Sequence, residues 1–207
     1  PERAVLSRSG AIASLAASFV LLVGMLSAQS QETQPLRVLF LGDQGHHEPG
    51  DRARQIIPVL AGRQIAVTYT DKMSDLNLEN LRRFEVLLVY ANVDAIAPEQ
   101  ADALLAYVEQ GGGFAPIHCA SYCFRNDPRI VSLIGAQFLR HGTGEFETKI
   151  VDASHPIMKG FEPFRTWDET YVHTLHNPKD RTVLQTRAEP DGKEEPWTWV
   201  RTHGKGR

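Results

Sequence analysis

Cysteine is scarce in this chain, and neither sign of charge dominates it. The 207 residues include two cysteines, Cys119 and Cys123, and carry a formal net charge of -3. So few cysteines exclude a disulfide-rich scaffold, and the four-residue spacing of these two at a helix start disfavours a bridge between them. We therefore expect two separate, at least partly buried thiols. Because there is no basic stripe either, the composition argues against nucleic acid as a partner.

The familiar metal-binding motifs are absent as well. The sequence contains no H-E-x-x-H and no C-x-x-C pattern, and it has no internal repeat or low-complexity tract. The sequence signal for a metal is therefore weak. A divalent metal stays open, because histidines and carboxylates do cluster in two regions of the chain.

The N-terminal segment differs in composition from the rest of the chain. Arg3 and Arg8 precede an uncharged apolar run at residues 11–28, and small and polar residues follow it. This pattern is typical of a secretory signal peptide and predicts a periplasmic or secreted protein. The run just reaches the ~18 residues that a membrane span needs, so a retained membrane anchor is the alternative. We expect residues 1–30 to be this signal peptide or anchor and residues 31–207 to form one domain.

Alternating strand and helix patterns predict the fold of the first half of the domain. Short apolar runs that end in turn residues are typical of buried parallel strands, and apolar residues three or four apart are typical of helices. From Leu36 to His118 the patterns give four strands separated by three helices. That alternation predicts an α/β fold with an open, doubly wound, mostly parallel sheet. The predicted strands are residues 36–43, 64–70, 85–91 and 114–118, and the predicted helices are residues 51–63, 76–84 and 97–110.

The pattern loosens after Cys119. A short helix is predicted at residues 127–135, and strands are predicted at residues 145–152, 182–187 and 195–202. The chain ends in Gly-Lys-Gly-Arg, which is turn chemistry that would lead into a further strand. We therefore expect the domain to be truncated at its C-terminus.

Polar side chains follow three of the predicted parallel strands. Asp43, His46 and His47 come after the first strand, Asn92 comes after the third, and His118 ends the fourth. Ligands of open α/β sheets bind beyond the carboxyl ends of the strands, so these groups should gather along one rim. A single histidine at a strand end is often structural, but several histidines and carboxylates on one rim predict a functional site.

Two reactive side chains are adjacent where the fourth strand ends, in the stretch GGGFAPIHCASYCF. A nucleophilic Cys119 at a sharp strand-to-helix turn would be similar to the elbow of hydrolases and amidotransferases. That elbow requires small neighbours, however, and His118 is bulky. Neighbouring residues of an extended segment point to opposite sides, so only one of the two can face the rim. We predict that His118 faces the site and that Cys119 is a small buried hydrophobe, with the reverse assignment as the alternative.

A second group of titratable residues lies in the segment TWDETYVHTLHN. Asp168, Glu169, His173 and His176 fall within nine residues, and such a set can bind a metal ion. A solvated loop with incidental charges explains the spacing equally well. The segment HGTGEF has two glycines beside His141, which predicts a loop that approaches a ligand closely. Aromatic residues of the C-terminal half suit either stacking on a sugar ring or core packing. They are Trp167, Tyr171, Trp197 and Trp199.

Taken together, five segments resemble the ThuA-like (trehalose-utilisation) family over about residues 36–207. The resemblance implies a flavodoxin-type, class I glutamine-amidotransferase-like fold and a role in disaccharide or keto-sugar metabolism. It matches His118 to the constant histidine of the family, and Asp168, Glu169 and Tyr171 to its Asp-Glu pair and following aromatic residue. The amidotransferase Cys-His-Glu triad is not carried over. The segments are VLFLGDQGHHEPGDRARQIIPVL, GGGFAPIHCASYCF, HGTGEF, DASHPIMKGF and WDETYVHTLHN.

The resemblance also concerns what surrounds the domain. A later family strand that ends in Gly-His, and that is expected to complete the site, would lie beyond Arg207. Exported family members also occur fused to haem-binding or repeat domains in very large proteins, so the resemblance leaves open a fusion of that kind for this domain.

These observations predict an exported domain that acts on a small-molecule sugar. His118 is the expected general acid or base, because histidine titrates near neutral pH, and Glu169 is the expected carboxylate partner. Isomerisation of a keto-sugar or hydrolysis fits such a pair. Two alternatives stay open: a hydrolase of the amidotransferase type that depends on Cys119, and a non-catalytic carbohydrate-binding or scaffold module of a larger redox protein. The expected substrate-binding residues are Asp43, His46, His47, Asn92, His141, Asp168, Tyr171 and His173.

Overall fold

The computed structural model describes residues 34–207, which contain two four-stranded sheets. Residues 1–33, with the predicted signal peptide or anchor, lie outside the described residues. Among residues 34–207, no helix combines the length and the apolar character needed to cross a membrane.

The first sheet is parallel and follows the strand and helix alternation of the sequence. Its strands pair in the order β2-β1-β3-β4, and every pair is parallel. Helices connect successive strands, which confirms the predicted doubly wound α/β fold. The elements are β1 (Leu36–Leu41), α1 (Pro49–Ala61), β2 (Ile65–Thr70), α2 (Leu78–Leu81), β3 (Val86–Val89), α3 (Pro98–Glu109), β4 (Gly113–Pro116) and α4 (Pro128–Ile134).

Local chemistry sets the ends of these helices. Proline lies in the first turn of α1, α3 and α4, where its missing N–H costs no helical hydrogen bond. The Asp127 carboxylate caps α4 by accepting a hydrogen bond from the Arg129 N–H at 2.9 Å. Gly135 ends α4 with a φ of 102°, a left-handed conformation that glycine adopts without a Cβ clash.

The main core lies on one face of the parallel sheet, beneath α3 and α4. Leu39 and Leu41 of β1 point into it and belong to the same buried cluster as Leu104 of α3. Phe40 points to the opposite face, where its ring contacts Tyr69. Because side chains alternate along a strand, a sheet covered on both faces needs the near-continuous apolar runs seen in the sequence.

The second sheet is antiparallel and comes from the C-terminal half of the chain. Its strands pair in the order β6-β5-β7-β8. Residues 137–147 of β5 pair with β6 as a long ribbon, whereas residues 148–150 pair with β7. The strands are β5 (Gln137–Ile150), β6 (Arg165–Thr174), β7 (Arg181–Ala188) and β8 (Glu194–Arg201).

Two loop interpretations of this half are wrong. HGTGEF lies inside β5, where Gly142 pairs with Thr170 and Gly144 pairs with Asp168. Most of TWDETYVHTLHN lies in β6 and is not a solvated loop. Glycine and charged residues disfavour strands on their own, so here the pairing of the two strands overrides local propensity.

The two thiols are separate and buried, as predicted. Cys119 and Cys123 form no disulfide, and each residue is 1% exposed. The Cys123 thiol donates to the Ala91 carbonyl at 3.0 Å and accepts from the Val93 N–H at 3.3 Å. Both cysteines therefore belong to the packing beneath the end of the parallel sheet.

Candidate active site

Asp43 organises the rim of the parallel sheet directly after β1. Its carboxylate accepts hydrogen bonds from the Gly45 N–H at 2.7 Å and from the Asn92 N–H. The first contact shapes the loop that carries His46 and His47, and the second ties this loop to the end of β3. Residues at the carboxyl ends of neighbouring parallel strands are thus brought together, as the strand-end rule predicts.

His118 follows β4 in a strained backbone conformation. Its φ is 54°, a left-handed value that is uncommon for residues other than glycine. Its side chain is 29% exposed. The imidazole stacks on Tyr171 with 4.7 Å between ring centroids and on Tyr90 with 5.8 Å. Strained residues cluster at functional sites, where the surrounding structure holds them in place.

Glu169 of β6 reaches His118 from the second sheet. Its Oε2 lies 3.3 Å from His118 Nε2, and its Oε1 lies 3.6 Å from His141 Nε2 of β5. His141 pairs with Tyr171 across the ladder, and residues two apart on a strand point the same way, so Glu169, Tyr171 and His141 share one face. The ribbon of β5 and β6 therefore brings three polar side chains to the rim.

His47 approaches the cluster of His118, Glu169, Tyr171 and His141 from the loop after β1. Its ring centroid lies 5.1 Å from that of His118. Potential ligand atoms of His47, His118 and Glu169, one from each residue, all lie within 4.8 Å of one another. These three residues therefore have the types and the spacing of metal ligands.

Burial controls the protonation of the side chains in this cluster. It lowers the pKa of His118, and the charge of Glu169 opposes that change. It also lowers the pKa of His47, and the neighbouring His46 and His118 lower it further. Burial raises the pKa of Tyr171, with a further increase from the charge of Glu169. These directions favour the neutral imidazoles of His47 and His118 and the neutral phenol of Tyr171 at neutral pH.

Cys119 lies in the packed layer instead of the cluster. Burial raises the pKa of its thiol to about 12. Because the thiolate is the nucleophilic form of cysteine, this environment opposes a role as nucleophile.

Two of the predicted site residues lie at the margin of the cluster. His46 is exposed, and its ring centroid lies 4.0 Å from that of His47. Asp168 is also exposed, and its Oδ1 accepts a hydrogen bond from the Glu169 N–H at 2.8 Å. Both can meet a ligand that enters from solvent.

The structure does not bring His173 against His118. His173 Nδ1 lies 2.8 Å from Glu195 Oε1, and the two side chains are only 6% and 9% exposed. Glu195 also accepts a hydrogen bond from the His173 N–H at 3.1 Å. The pair joins β6 to β8, so the histidine is held inside the second sheet.

Sequence reasoning misses Tyr90, whose ring stacks on His118. The residue directly follows β3, but its apolar neighbours make it look like part of the buried strand. A strict use of the strand-end rule would have found it.

A cavity of about 750 Å³ beside β2, lined by Arg37, Asp71 and Arg83 among others, shares no residue with the cluster. The side chains and their contacts, not cavity size, therefore define the candidate site.

Solved structures with the same fold include proteins described as ThuA-like. One from Bacteroides uniformis has a TM-score of 0.70 and 20% identity, over 86% of this chain and 81% of its own. Another, from Parabacteroides merdae, has a TM-score of 0.70 and 20% identity, over 83% of this chain and 76% of its own. A protein from Thermoplasma acidophilum described as part of a GMP synthase has a TM-score of 0.55 and 12% identity, over 83% of this chain and 81% of its own. At these identities the likeness shows the fold alone.

Family membership comes from the sequence. No curated protein matches the chain at a significant level. The family model for trehalose utilisation (ThuA) matches residues 37–207, which is nearly all of the described part of the chain. A trehalose-utilisation domain supports a role in carbohydrate metabolism. The chain belongs to the ThuA family.

Proposed function

We propose that this domain processes a sugar at the rim of its parallel sheet, where His118 and Glu169 exchange protons with the substrate. The observation that carries the proposal is the 3.3 Å contact between His118 Nε2 and Glu169 Oε2, which joins side chains from the two sheets. A histidine held beside a carboxylate can take a proton from a hydroxyl group or give one to a carbonyl or glycosidic oxygen. Isomerisation of a keto-sugar and hydrolysis of a glycoside are the reactions that fit this pair.

The surroundings of the pair suit a carbohydrate. Trp167 is 69% exposed and lies two residues before Glu169, on the same face of β6. Glu145 pairs with Trp167 across the ribbon. An exposed indole can cover the C–H face of a sugar ring, while carboxylates accept hydrogen bonds from its hydroxyl groups. This side of the ribbon therefore offers both kinds of contact that a sugar ring needs.

Further polar groups of the rim are assigned to the hydroxyl groups of the sugar. Asn92 Oδ1 is buried and has no hydrogen-bond partner among the described residues. His141 and Tyr171 add groups that can donate or accept a hydrogen bond. Asp43 shapes the loop that carries His46 and His47.

Two other functions make different demands on the site. A Cys119-dependent hydrolase needs an accessible thiolate, whereas Cys119 is buried and its pKa is raised to about 12. A carbohydrate-binding module needs the same sugar contacts without proton transfer. Separate measurements of sugar binding and turnover distinguish these functions.

The test uses trehalose and a keto derivative of trehalose as probes, with NMR to follow binding and product formation. Replacing His118 with alanine should lower turnover by ~10²–10⁴-fold. His118→Gln should retain part of the binding and lose turnover, because an amide can form a hydrogen bond but cannot carry the proton. His203→Ala is the matched control, since His203 lies in the turn that contacts the end of α3. Wild-type turnover in His118→Ala would contradict the proposal, and binding without turnover in the wild type would replace it with the binding module.

Export is part of the proposal and rests on the composition of residues 1–30. Arg3, Arg8 and the apolar run to Ala28 are the supporting features. N-terminal sequencing of protein recovered outside the cytoplasm should begin near Gln31. A recovered chain that still contains Val20 would favour the retained anchor.

A further inference from the structure

Three potential metal ligands converge on the rim from three separate parts of the chain. His47 comes from the loop after β1, His118 follows β4, and Glu169 lies on β6 of the second sheet. Potential ligand atoms of the three lie within 4.8 Å of one another. None of the three is close to another in sequence, which is why no motif search finds the set.

Two polar atoms of this set are buried without a usual partner. Neither His47 Nδ1 nor Glu169 Oε2 has a hydrogen-bond partner among the described residues. Glu169 Oε2 has its 3.3 Å contact with His118 Nε2. Buried polar atoms normally have partners, and those that lack one within the protein call for another explanation, such as a bound ion.

We propose that His47, His118 and Glu169 bind one divalent cation, with zinc as the first candidate. Two histidines and one glutamate form the ligand set of catalytic zinc sites, which keep a further position for water or substrate. In a tetrahedral zinc site with bonds of ~2.1 Å, ligand atoms lie about 3.4 Å apart. Side-chain movements of roughly 1 Å would bring the atoms to that spacing. Manganese and iron accept the same mixed nitrogen and oxygen ligands.

The surroundings of Glu169 support a role as ligand. Its second oxygen, Oε1, lies 3.6 Å from His141 Nε2. Groups that hold a ligating carboxylate in this way fix its orientation and tune the bound metal. His141 thus acts as a positioning residue for the proposed cation.

This inference rests on the proposed function for the location of the site and for the class of substrate. It adds that a bound cation polarises the sugar oxygen. If a cation is bound, His47, His118 and Glu169 would hold it, and it would supply Lewis-acid polarisation of a sugar oxygen in place of the proton of His118. His118 and Glu169 then serve as ligands.

The experiment measures metal binding by the full-length chain directly. Protein stripped with EDTA and exchanged into chelator-free buffer is titrated with Zn²⁺ by calorimetry, and with Co²⁺ by visible absorption, which reports ligand type and geometry. One cation should bind per chain. His47→Ala and Glu169→Gln should each weaken binding by more than the roughly 10–100-fold that loss of a supporting partner costs. Circular dichroism checks that both variants fold.

His203→Ala serves as the control for surface histidines and should bind zinc as the wild type does. Equal affinities in the wild type, His47→Ala and Glu169→Gln, or no binding by the wild type, would overturn the metal site. A loss of binding in His203→Ala equal to that in His47→Ala would overturn it as well.

Sugar binding by the stripped and the zinc-loaded protein separates this inference from the proposed function. Sugar processing by stripped protein that binds no zinc would refute the cation and leave the proposed function in place. Zinc binding that depends on His47 and Glu169, in a protein that neither binds nor converts sugars, would support the cation and refute the proposed function.

Discussion

Alkylation of Cys119 offers a sharp test of the burial of the thiols. Burial raises the pKa of Cys119 and of Cys123 to about 12. At pH 8 about one such thiol in 10⁴ is then a thiolate, whereas about a quarter of an ordinary thiol with a pKa of about 8.5 is. Because the thiolate is the reacting form, iodoacetamide should label the folded protein roughly 10³-fold more slowly than the unfolded chain. Steric shielding by the surrounding core adds to this factor.

The assay is a time course of labelling followed by mass spectrometry, in native buffer and in guanidinium chloride. Cys123→Ser isolates Cys119, because a serine hydroxyl can keep the hydrogen bonds to the Ala91 carbonyl and the Val93 N–H. Both thiols should react at the ordinary rate in the unfolded chain, which serves as the internal control.

Rapid labelling of native Cys123→Ser would refute this reasoning. A native rate within ten-fold of the unfolded rate would mean that Cys119 is exposed or that its pKa is near the ordinary value. If labelling also abolished turnover, the Cys119-dependent hydrolase would have to replace the proposal based on His118. Unchanged turnover after labelling would still leave the predicted burial wrong.

Two further predictions follow from exposed residues. Trp167→Ala should weaken sugar binding about 2–10-fold, the range expected for losing one aromatic contact, and should not lower thermal stability. Phe161→Ala is the control. Equal losses of binding in the two variants would refute the stacking role of Trp167. Arg37 lowers the pKa of Glu85 to about 2, so the unfolded chain takes up the proton first and this contribution to stability is lost as pH falls from about 4.5 towards 2. Glu85→Gln should therefore reduce the acid dependence of urea unfolding at low salt over that range, modestly because the pair is exposed, and identical dependence in both proteins would contradict the assignment.

The parallel half of the fold could be predicted because its local signals agree with its packing. The central strands β1 and β3 are largely buried on both faces and therefore read as apolar runs, and Pro98 and Gly111 mark the ends of α3. The ribbon of β5 and β6 carries no such signal. Much of it is exposed, so glycines and charged residues occupy positions that only cross-strand pairing makes extended.

The candidate site, like the fold, has one part that the sequence predicts and one part that it does not. The strand-end rule brings Asp43, Asn92 and His118 together from the sequence alone, because parallel strands share the direction of their ends. The partner of His173 could not be predicted, since Glu195 lies on another strand of the second sheet. Glu169 and His173 are four residues apart in one segment, so the sequence groups them together. In the fold, His173 forms a buried pair with Glu195, and Glu169 lies at the rim.

A single extra residue in β5 determines which way His141 points. The ladder shifts by one residue at Leu139, which is 56% exposed, because the residues on either side of it face adjacent residues of β6. A bulge of this kind reverses the alternation of the strand beyond it. Phe138 and His141 therefore share a face although they are an odd number of residues apart, and their ring centroids lie 4.7 and 5.5 Å from that of Tyr171. Without the bulge, strict alternation would turn His141 to the opposite face of the ribbon, away from Glu169. The contact between His141 and Glu169 is thus a consequence of strand pairing. The local sequence around His141, with its glycines, carries no sign of that pairing and is therefore interpreted as a loop.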